Sequence, residues 1–429
     1  MPPEISDAGD DRIARALRAL DQEGISGLAD LWQAMLAELS TKKHGAAASA
    51  LAAPPDQGAG AARTGDGVLV SSKKLVMEVY HDPAGNYSVC GYAERLRKSF
   101  GMIYLGLDKG AEYDAQSSKV NAAIQAISER DSFNLALHET RNVLASQSDP
   151  AHFEIQDVCD KVLAALCTIW FDLPDDITVR AGGFRPSNLL PPARCPGDYS
   201  APSGYTFMPD PEFLVALTGQ RLGQILKDAV TKFVSERRSP ANPLQGVLSR
   251  AIFAAFPNTS DQDDIIARTI IGVMMGFLPT VEGNVIATVG AWQKNATFTA
   301  LQEQLAGSAE PDLYLRACAV LKLPLKQAMQ LNPVPNAVWR TAVKEHTLGD
   351  TNPVQVHPGD KVAIGIALAT REDLANKITY VFAVFGGDRR EHPHPTHACP
   401  GYAMAMGVLL GIIAGVMDPG PAGVHPQLG

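Results

Sequence analysis

The stretch HPHPTHACPGYAMAMG, residues 392–407, decides the interpretation of this sequence. Pro400 suits the first position of a helix, where a missing backbone N–H costs nothing, and the residues from 402 to 417 are apolar on every side. Cys399 therefore lies where the dipole and the free N–H groups of a buried helix stabilise a thiolate. Gly401 lets a flat cofactor approach the backbone. A cysteinate ligand of heme iron requires this arrangement.

The same stretch supports two other interpretations. His392, His394 and His397 have the H-x-H-x-x-H spacing that resembles the metallo-β-lactamase zinc signature, although a threonine stands at position 396, where that fold would supply an aspartate. Alternatively, the prolines stiffen an exposed loop that binds nothing. The local pattern alone leaves the three interpretations open.

Composition and charge restrict the class of protein. Of the 429 residues, 46% are hydrophobic and 19% are charged, as in globular proteins. The net charge of −9, without a stripe of Lys and Arg, argues against a nucleic-acid partner. The apolar run 402–417 is shorter than the roughly 20 residues of a membrane-spanning helix, so no membrane span is predicted. Scattered cysteines and an N-terminus without a secretory signal predict a cytoplasmic protein.

Sequence periodicity predicts a mainly α fold with small β-sheets. We expect residues 1–66 to form an N-terminal extension, with a helical pair over 11–39 followed by an Ala/Gly-rich flexible linker, and residues 67–429 to form a single domain. The domain should begin with a short strand and a helix. Further helices are predicted at 115–130, 133–146, 153–170, 210–237, 261–307, 311–331 and 400–417, and strands at 354–369 and 378–385.

The cysteine stretch resembles the heme loop of the cytochromes P450, F-G-x-G-x-[HR]-x-C-x-G-x-x-[LF]-A. His397, Cys399 and Gly401 match it. The residues FGG, 385–387, match its front half if the seven residues DRREHPH, 388–394, are an insertion. The resemblance extends over most of the expected domain. It implies a P450-like fold and heme b, with Cys399 as the axial thiolate ligand of the iron and His397 in contact with a heme propionate.

The segment 325–346 resembles another part of that family, E-x-x-R-L-x-P followed by a propionate-binding arginine. Arg340 matches the arginine. Gln327 and Gln330 stand where the family has a buried Glu and Arg, and we expect the two amides to hydrogen-bond in place of that ion pair. Tyr113 takes the place of a propionate-binding histidine in the family's third helix, so it is expected to donate a hydrogen bond to the cofactor.

The stretch IIGVMMGFLPTVEGN, residues 270–284, resembles the family's distal helix, which carries [AG]-G-x-[DE]-T over the heme. Gly276 and Thr280 match this pattern, and a proline replaces the acid. A proline removes a helical hydrogen bond and kinks the helix. Thr280 would then deliver protons through water, with help from Glu282 if the kink turns it inward. Glu282 or Asn284 would orient a peroxide.

The resemblance implies a heme-thiolate oxidoreductase that monooxygenates a lipophilic small molecule. Its electrons would come from a ferredoxin-type partner, which Arg389 and Arg390 would attract if it is acidic. The missing distal acid also suits a peroxide-dependent peroxygenase or a lipid hydroperoxide isomerase or dehydratase, neither of which needs a redox partner. A third alternative is a heme-binding sensor or carrier without turnover.

Overall fold

A computed structural model describes the protein over residues 60–64, 67–147, 152–173, 196–238, 243–350, 352–391, 393–418 and 427–428. The helical pair expected at 11–39 and the expected linker up to residue 59 lie outside these ranges.

Within the described ranges the fold is mainly helical, as the sequence predicts. The helices are α1 (Lys73–His81), α2 (Cys90–Lys98), α3 (Ala111–Gln125), α4 (Glu129–Ala145), α5 (Ile155–Phe171), α6 (Pro196–Phe207), α7 (Phe213–Arg237), α8 (Val247–Ala255), α9 (Asp263–Lys294), α10 (Thr297–Gly307), α11 (Leu313–Val320), α12 (Lys322–Leu331), α13 (Ile366–Ala375) and α14 (Tyr402–Met417). The predicted helix at 261–307 is therefore two helices, α9 and α10, which separate where Ala296 adopts a left-handed conformation with φ of 58°.

The strands in the described parts of the chain form three small sheets. They are β1 (Ala61–Thr64), β2 (Gly67–Val70), β3 (Tyr87–Ser88), β4 (His152–Phe153), β5 (Val338–Ala342), β6 (His346–Leu348), β7 (Val354–Val356), β8 (Lys361–Ile364) and β9 (Gln427–Leu428). The largest sheet has the order β1-β2-β8-β5-β3, in which β2 and β8 are parallel and the other neighbours antiparallel. The other two sheets pair β4 with β9 and β6 with β7.

Strand β1 corrects the prediction of a linker that continues to residue 66. Ala61 pairs with Val70 and Thr64 with Gly67 along β2, and Arg63 forms an ion pair with Asp360 at 2.7 Å. The sequence of this segment, AART, contains one β-branched residue and no aromatic residue, which is too few to predict a strand. Its backbone is ordered by the hydrogen bonds of the neighbouring strand, which the local composition does not reveal.

Two strand predictions in the C-terminal third are also wrong in part. Strands β7 and β8 lie within the predicted 354–369, but residues 366–369 begin helix α13. The segment predicted as a strand at 378–385 contains the 3₁₀-helix Phe382–Phe385 instead. Aromatic and β-branched residues favour strands only where a partner strand is present, and here the Ala383 carbonyl accepts a hydrogen bond from the Tyr80 hydroxyl at 3.1 Å.

Helix α14 is anchored by glycines spaced four residues apart. Gly407, Gly411 and Gly415 face α4, and a Cβ atom at Gly411 would lie 2.5 Å from the Phe133 carbonyl oxygen. Such glycines permit close helix packing, so α14 lies almost against the backbone of α4. Nearly all of α14 is buried, as its uniformly apolar sequence predicts. Because Cys399 lies just before this helix, the packing fixes the position of the thiol.

Helix α9 runs through the centre of the fold and packs on α5, α6, α7, α12 and α14. Together with a preceding 3₁₀ turn it forms a 35-residue segment, Ser260–Lys294, that contains a strongly apolar 18-residue window. By length and composition this segment qualifies as a membrane span, which the sequence prediction overlooked. The fold buries 61% of its most apolar window, as expected for the central helix of a large core.

Candidate functional site

A cavity of about 260 Å³ lies between α9 and the loop that precedes α14. Residues of α9, among them Gly276, Thr280 and Asn284, form one wall, which we call the distal wall. The opposite, proximal wall comprises Phe385, Gly386, residues 399–401 and the first turns of α14. Of the nine residues that sequence analysis assigned to the site, seven line this cavity: Gly276, Thr280, Asn284, Arg340, His397, Cys399 and Gly401.

Two hydrogen bonds with backbone groups hold Cys399 in place. Its N–H donates to the Phe385 carbonyl at 2.7 Å, and the Gly401 N–H donates to its Sγ at 3.3 Å. Burial raises the pKa of the Cys399 thiol, whereas the Gly401 N–H and the Arg389 guanidinium lower it. The sulfur is thus presented to the cavity with an N–H donor, the arrangement expected of a thiolate that ligates a metal.

The FGG triplet at 385–387 lies directly against the cysteine loop. A Cβ atom at Gly386 would lie 3.2 Å from the His397 carbonyl oxygen, and one at Gly387 would lie 2.5 Å from Pro395 Cγ. Both glycines have positive φ, 71° and 121°. The triplet 385–387 and the residues 395–399 therefore pack together, although the seven residues 388–394 separate them in the sequence. This proximity is what the insertion considered in the sequence analysis requires.

Arg389, near the start of the insertion, bonds to the cysteine loop. Its Nε donates a hydrogen bond to the Ala398 carbonyl at 2.6 Å. The guanidinium therefore stabilises the cysteine loop, a role that the sequence analysis did not predict. Arg390 does lie at the surface, where its side chain is 74% exposed and paired with Asp388 at 2.7 Å. Attraction of an acidic ferredoxin-type partner by these two arginines stays a prediction, and Arg390 is the more exposed of them.

One edge of the cavity is polar and cationic. His397 Nε2 is buried without a hydrogen-bond partner in the described residues, while Arg340 donates to the Tyr92 hydroxyl at 2.9 Å. Burial, and to a smaller extent the Arg340 charge, lowers the pKa of His397 to about 3, although a hydrogen bond with the Leu107 backbone opposes the shift. An unpartnered buried nitrogen beside a guanidinium is suited to bind an anionic carboxylate.

Tyr113 does not line the cavity, contrary to the expectation that it contacts the cofactor. Its hydroxyl donates to the Thr396 carbonyl at 2.7 Å, and its ring contacts that of His397 at 5.4 Å between centroids. It therefore positions the loop. Tyr104, on the 3₁₀-helix Tyr104–Gly106, lines the cavity in its place and is 5% exposed. Sequence analysis missed Tyr104, together with Tyr80 and Tyr92, because tyrosines outside a motif carry no signal of which way they face.

The distal wall is open at Gly276, where an added Cβ atom would meet nothing within 4 Å. Thr280 lines the cavity, but its hydroxyl donates to the Gly276 carbonyl at 2.6 Å. Helix α9 is continuous through Pro279. The Thr280 hydroxyl thus bonds back to carbonyls of the preceding turn, as threonines within helices commonly do.

Glu282 faces away from the cavity, so the prediction that it serves the distal chemistry is wrong. It is 7% exposed and accepts a hydrogen bond from Gln156 of α5 at 3.3 Å. Burial, followed by the nearby Asp160, raises its pKa to about 7. The reason is helical geometry, since residues two apart on a helix point roughly 200° apart. With Thr280 inside, Glu282 lies on the opposite face.

Asn284 lines the cavity, but its amide is engaged by backbone. Nδ2 donates to the Thr280 carbonyl at 2.7 Å and to the Val334 carbonyl at 2.8 Å, and Oδ1 accepts from the Val334 N–H at 3.2 Å. Both ends of the amide are thus already hydrogen-bonded to the backbone, and its predicted role in orienting a peroxide stays a prediction. Asn284 joins α9 to the segment after α12.

The predicted Gln327–Gln330 pair does not form. Gln327 is exposed, whereas Gln330 is fully buried and donates through Nε2 to the carbonyls of Ile378 and Tyr380 at 2.7 and 3.1 Å. The buried amide of Gln330 thus bonds to two carbonyls of the following loop without the desolvation cost of a buried charge. Gln330 therefore joins α12 to the loop at 378–380, whereas the sequence analysis expected it to bond to Gln327.

The zinc interpretation gains no ligand set from the described residues. His392 lies outside them, and within them no group of three His, Cys, Asp or Glu side chains is placed to hold a metal. His394 Nδ1 is 3.0 Å from the Pro395 carbonyl oxygen.

No protein-family model matches the sequence, and no curated protein matches it significantly. Solved structures do match the fold. The ligand-free crystal structure of Mycobacterium smegmatis CYP164A2 superposes with a TM-score of 0.56 and 17% identity, covering 82% of this chain and 83% of that one. A mutant of P450 EryK in complex with erythromycin B gives 0.56 and 16%, covering 81% and 82%. The chain therefore has the fold of the cytochromes P450.

Proposed function

We propose that the protein is a heme-thiolate oxidoreductase of cytochrome P450 type that oxygenates a lipophilic small molecule. The observation that carries the proposal is Cys399, whose sulfur accepts a hydrogen bond from the Gly401 N–H at 3.3 Å and lines the cavity opposite Gly276 of α9. Heme b, bound through the Cys399 thiolate, is the cofactor that this site would hold.

The residues around the cavity fit that cofactor chemically. Its carboxylates need cationic or N–H donors, and the unpartnered Nε2 of His397 lies on the same edge as Arg340. Its ring needs apolar walls, which Ile124, Met404 and Leu409 supply near the cysteine. When bound, such a heme supplies the oxidising chemistry, because electron donation from the thiolate favours O–O bond cleavage.

The protein's own residues have distinct parts in this chemistry. Cys399 would ligate the iron, and the Gly401 N–H would moderate the charge on the sulfur. Arg340 would neutralise a carboxylate of the cofactor, and His397, whose low pKa keeps it neutral, would donate a hydrogen bond through Nε2. The apolar side chains of the distal half, including Phe207, Val273 and Ile366, exclude water and favour a lipophilic substrate.

A peroxide is the second candidate oxidant, and the distal wall favours it. No Asp or Glu lines the cavity within the described parts of the chain, Glu282 faces α5, and the Thr280 hydroxyl is bonded to its own helix. Splitting dioxygen requires protons that this wall is poorly equipped to donate, whereas hydrogen peroxide and lipid hydroperoxides carry an O–O bond that is already reduced. Peroxygenase or hydroperoxide isomerase activity needs no ferredoxin-type donor.

The first test is the spectrum of the reduced protein with carbon monoxide, for wild type, Cys399→Ser and a control, Cys90→Ser, whose thiol is exposed and distant in sequence. We expect a red-shifted thiolate-type Soret band that Cys399→Ser alone abolishes. A purified protein without heme, or a band that survives Cys399→Ser, would refute the proposal.

Product analysis then distinguishes the oxidants. Lipophilic substrates would be supplied with hydrogen peroxide, with a lipid hydroperoxide, or with a ferredoxin, its reductase and NAD(P)H. Product with peroxide alone identifies a peroxygenase or isomerase, and product that depends on the reductase identifies a monooxygenase. A heme-loaded protein that yields no product under any regime is a sensor or carrier. The cytoplasmic location stays a prediction.

A further inference from the structure

A series of aromatic rings leads from the proximal wall of the cavity to the surface. Phe385 lines the cavity, and the centroid of its ring lies 4.9 Å from that of Tyr402. The Tyr402 ring lies 5.4 Å from that of Phe382, which stacks on Tyr380 at 5.5 Å with 16° between the ring planes. These are the separations of aromatic rings in van der Waals contact. The four rings therefore form a continuous path of contacts, which we call the aromatic row.

The inner end of the aromatic row adjoins the proposed iron ligand. The carbonyl of Phe385 accepts a hydrogen bond from the Cys399 N–H at 2.7 Å. Electrons tunnel far more readily through bonded and touching atoms than across empty space. The row is therefore a path along which an electron can pass between the surface and the cysteine.

The outer end of the row is a side chain that can be oxidised. Tyr380 is 58% exposed, and no other tyrosine in the described parts of the chain is exposed. A tyrosine that gives up an electron also releases its phenolic proton, and solvent can take that proton from an exposed residue. Burial raises the pKa of Tyr402, so the inner tyrosine keeps its proton. An electron is therefore given up most readily at Tyr380.

The surroundings of Tyr380 are fixed and carry little net charge. The Tyr380 carbonyl accepts a hydrogen bond from Gln330 at 3.1 Å, so α12 holds the backbone there. The Arg390 guanidinium lies 5.0 Å from the centroid of the Phe382 ring, and Asp388 compensates its charge at 2.7 Å. An exposed ring in such surroundings offers a face on which a flat, neutral aromatic molecule can stack. Electron-rich phenols have this shape, and they give up an electron more readily than tyrosine does.

We propose that Tyr380 is a surface site at which electron-rich phenols are oxidised one electron at a time, with hydrogen peroxide as the oxidant. The inference rests on the proposed function, because the bound heme passes the electrons to the peroxide. Tyr380 gives an electron to the aromatic row and a proton to solvent, and it regains both from the hydroxyl group of a phenol. The phenol leaves as a phenoxyl radical. The activity is a peroxidase activity that takes place outside the cavity.

The reaction balances with two phenols for each peroxide. Hydrogen peroxide takes two electrons and two protons, its O–O bond breaks, and two waters form. Each of the two phenols loses one electron and one proton, so its O–H bond is broken and no oxygen atom is added to it. The phenoxyl radicals then couple with one another in solution. The products therefore differ from those of oxygenation inside the cavity.

The test uses the heme-loaded protein with hydrogen peroxide and guaiacol, whose coupled product is coloured. A second measurement omits guaiacol, adds a nitroso spin trap, and locates the trapped radical by mass spectrometry of the peptides. Both are made for wild type and for Tyr380→Phe, which keeps the stacked ring and removes the phenol. Tyr87→Phe is the matched control, because the Tyr87 ring contacts that of His346 instead of the aromatic row.

We expect Tyr380→Phe to lower the rate of guaiacol oxidation several-fold and to abolish a spin-trap adduct that wild type carries at Tyr380. Tyr87→Phe should behave like wild type. Equal rates for Tyr380→Phe and wild type, an adduct only at other residues, or a heme-loaded wild type that does not oxidise guaiacol would each overturn the inference. A wild-type protein without a heme band would instead refute the proposed function, and this inference with it.

Discussion

The two walls of the cavity are built in contrasting ways. On the proximal wall, backbone groups hold the reactive residue, since Phe385 and Gly401 bond to Cys399 and close glycine packing seats α14 on α4. On the distal wall, the polar side chains bond to their own helix or to a neighbouring segment, as Thr280 and Asn284 do. The first wall is organised to present one ligand. The second provides space, without a proton donor of its own among the described residues.

The largest expected effect concerns the close packing of α14 on α4, which supports the proximal wall. Gly411→Ala should destabilise the protein by about 3 kcal/mol, because the added Cβ atom would lie 2.5 Å from the Phe133 carbonyl oxygen. Gly290→Ala is the control, since a Cβ atom there meets nothing within 4 Å and an alanine favours the helix. Denaturant unfolding measures both. Equal stabilities would contradict close packing of α14 on α4.

The second-largest effect is expected at the polar edge of the cavity, where Arg340 lies. Arg340→Ala should weaken heme retention by about 2 kcal/mol, or about thirtyfold, because a charge-assisted hydrogen bond to the cofactor is lost. Heme transfer to apomyoglobin measures the release rate. Tyr92→Phe removes the hydroxyl to which Arg340 donates at 2.9 Å and keeps the charge, so it should change the rate much less. Equal effects would show that Arg340 acts through the fold instead.

The outer face of the distal helix should respond to pH. The pKa of Glu282 is raised from 4.5 to about 7, chiefly by burial. Between these values the unfolded chain loses the proton and the folded protein keeps it, so the free energy of unfolding falls as pH rises and levels off above about 7. Glu282→Gln has no carboxyl to titrate at this position, so its free energy of unfolding should fall by about 2 kcal/mol less than that of the wild type.

Denaturant unfolding at about pH 5 and about pH 8 checks the expected slope. Glu236→Gln is the control, because the Glu236 side chain is 61% exposed. If Glu282→Gln keeps the slope of wild type, the carboxyl next to Asp160 is not the group that titrates.

A smaller effect concerns the support behind the proximal wall. Gln330→Ala should destabilise the protein by about 1 kcal/mol, because the Ile378 and Tyr380 carbonyls lose a buried donor. Gln327→Ala, at an exposed position three residues earlier, should leave the free energy of unfolding nearly unchanged. If the two variants lost comparable amounts of stability, the result would instead support the hydrogen-bonded Gln327–Gln330 pair that the sequence predicts.

The smallest effect is expected at Thr280. Because its hydroxyl bonds to the Gly276 carbonyl at 2.6 Å, Thr280→Val should change peroxide-supported turnover little. Reductase-supported turnover, if present, would decline more, since dioxygen cleavage consumes protons. A large loss of peroxide-supported turnover would mean that the hydroxyl acts on the oxidant and that the distal wall is better equipped than its hydrogen bonds indicate.

The local pattern alone determined several features of this protein. The order Cys399-Pro400-Gly401 before a uniformly apolar run predicts a thiol at the start of a buried helix, and the glycines of that run permit its packing. Arg340 and His397 were found because each stands at a fixed place in a motif. Such features depend on residue type and short-range spacing, which the sequence states directly.

Only the tertiary structure decided which side chains face the cavity. Glu282 and Thr280 are two residues apart on one helix, yet their directions differ by roughly half a turn. Tyr104 enters the site and Tyr113 supports it, because their partners are set by residues almost 300 positions away, such as Thr396. Strand β1 likewise exists through its pairing with β2. Side-chain direction and long-range pairing arise when elements pack together, and short-range spacing does not contain them.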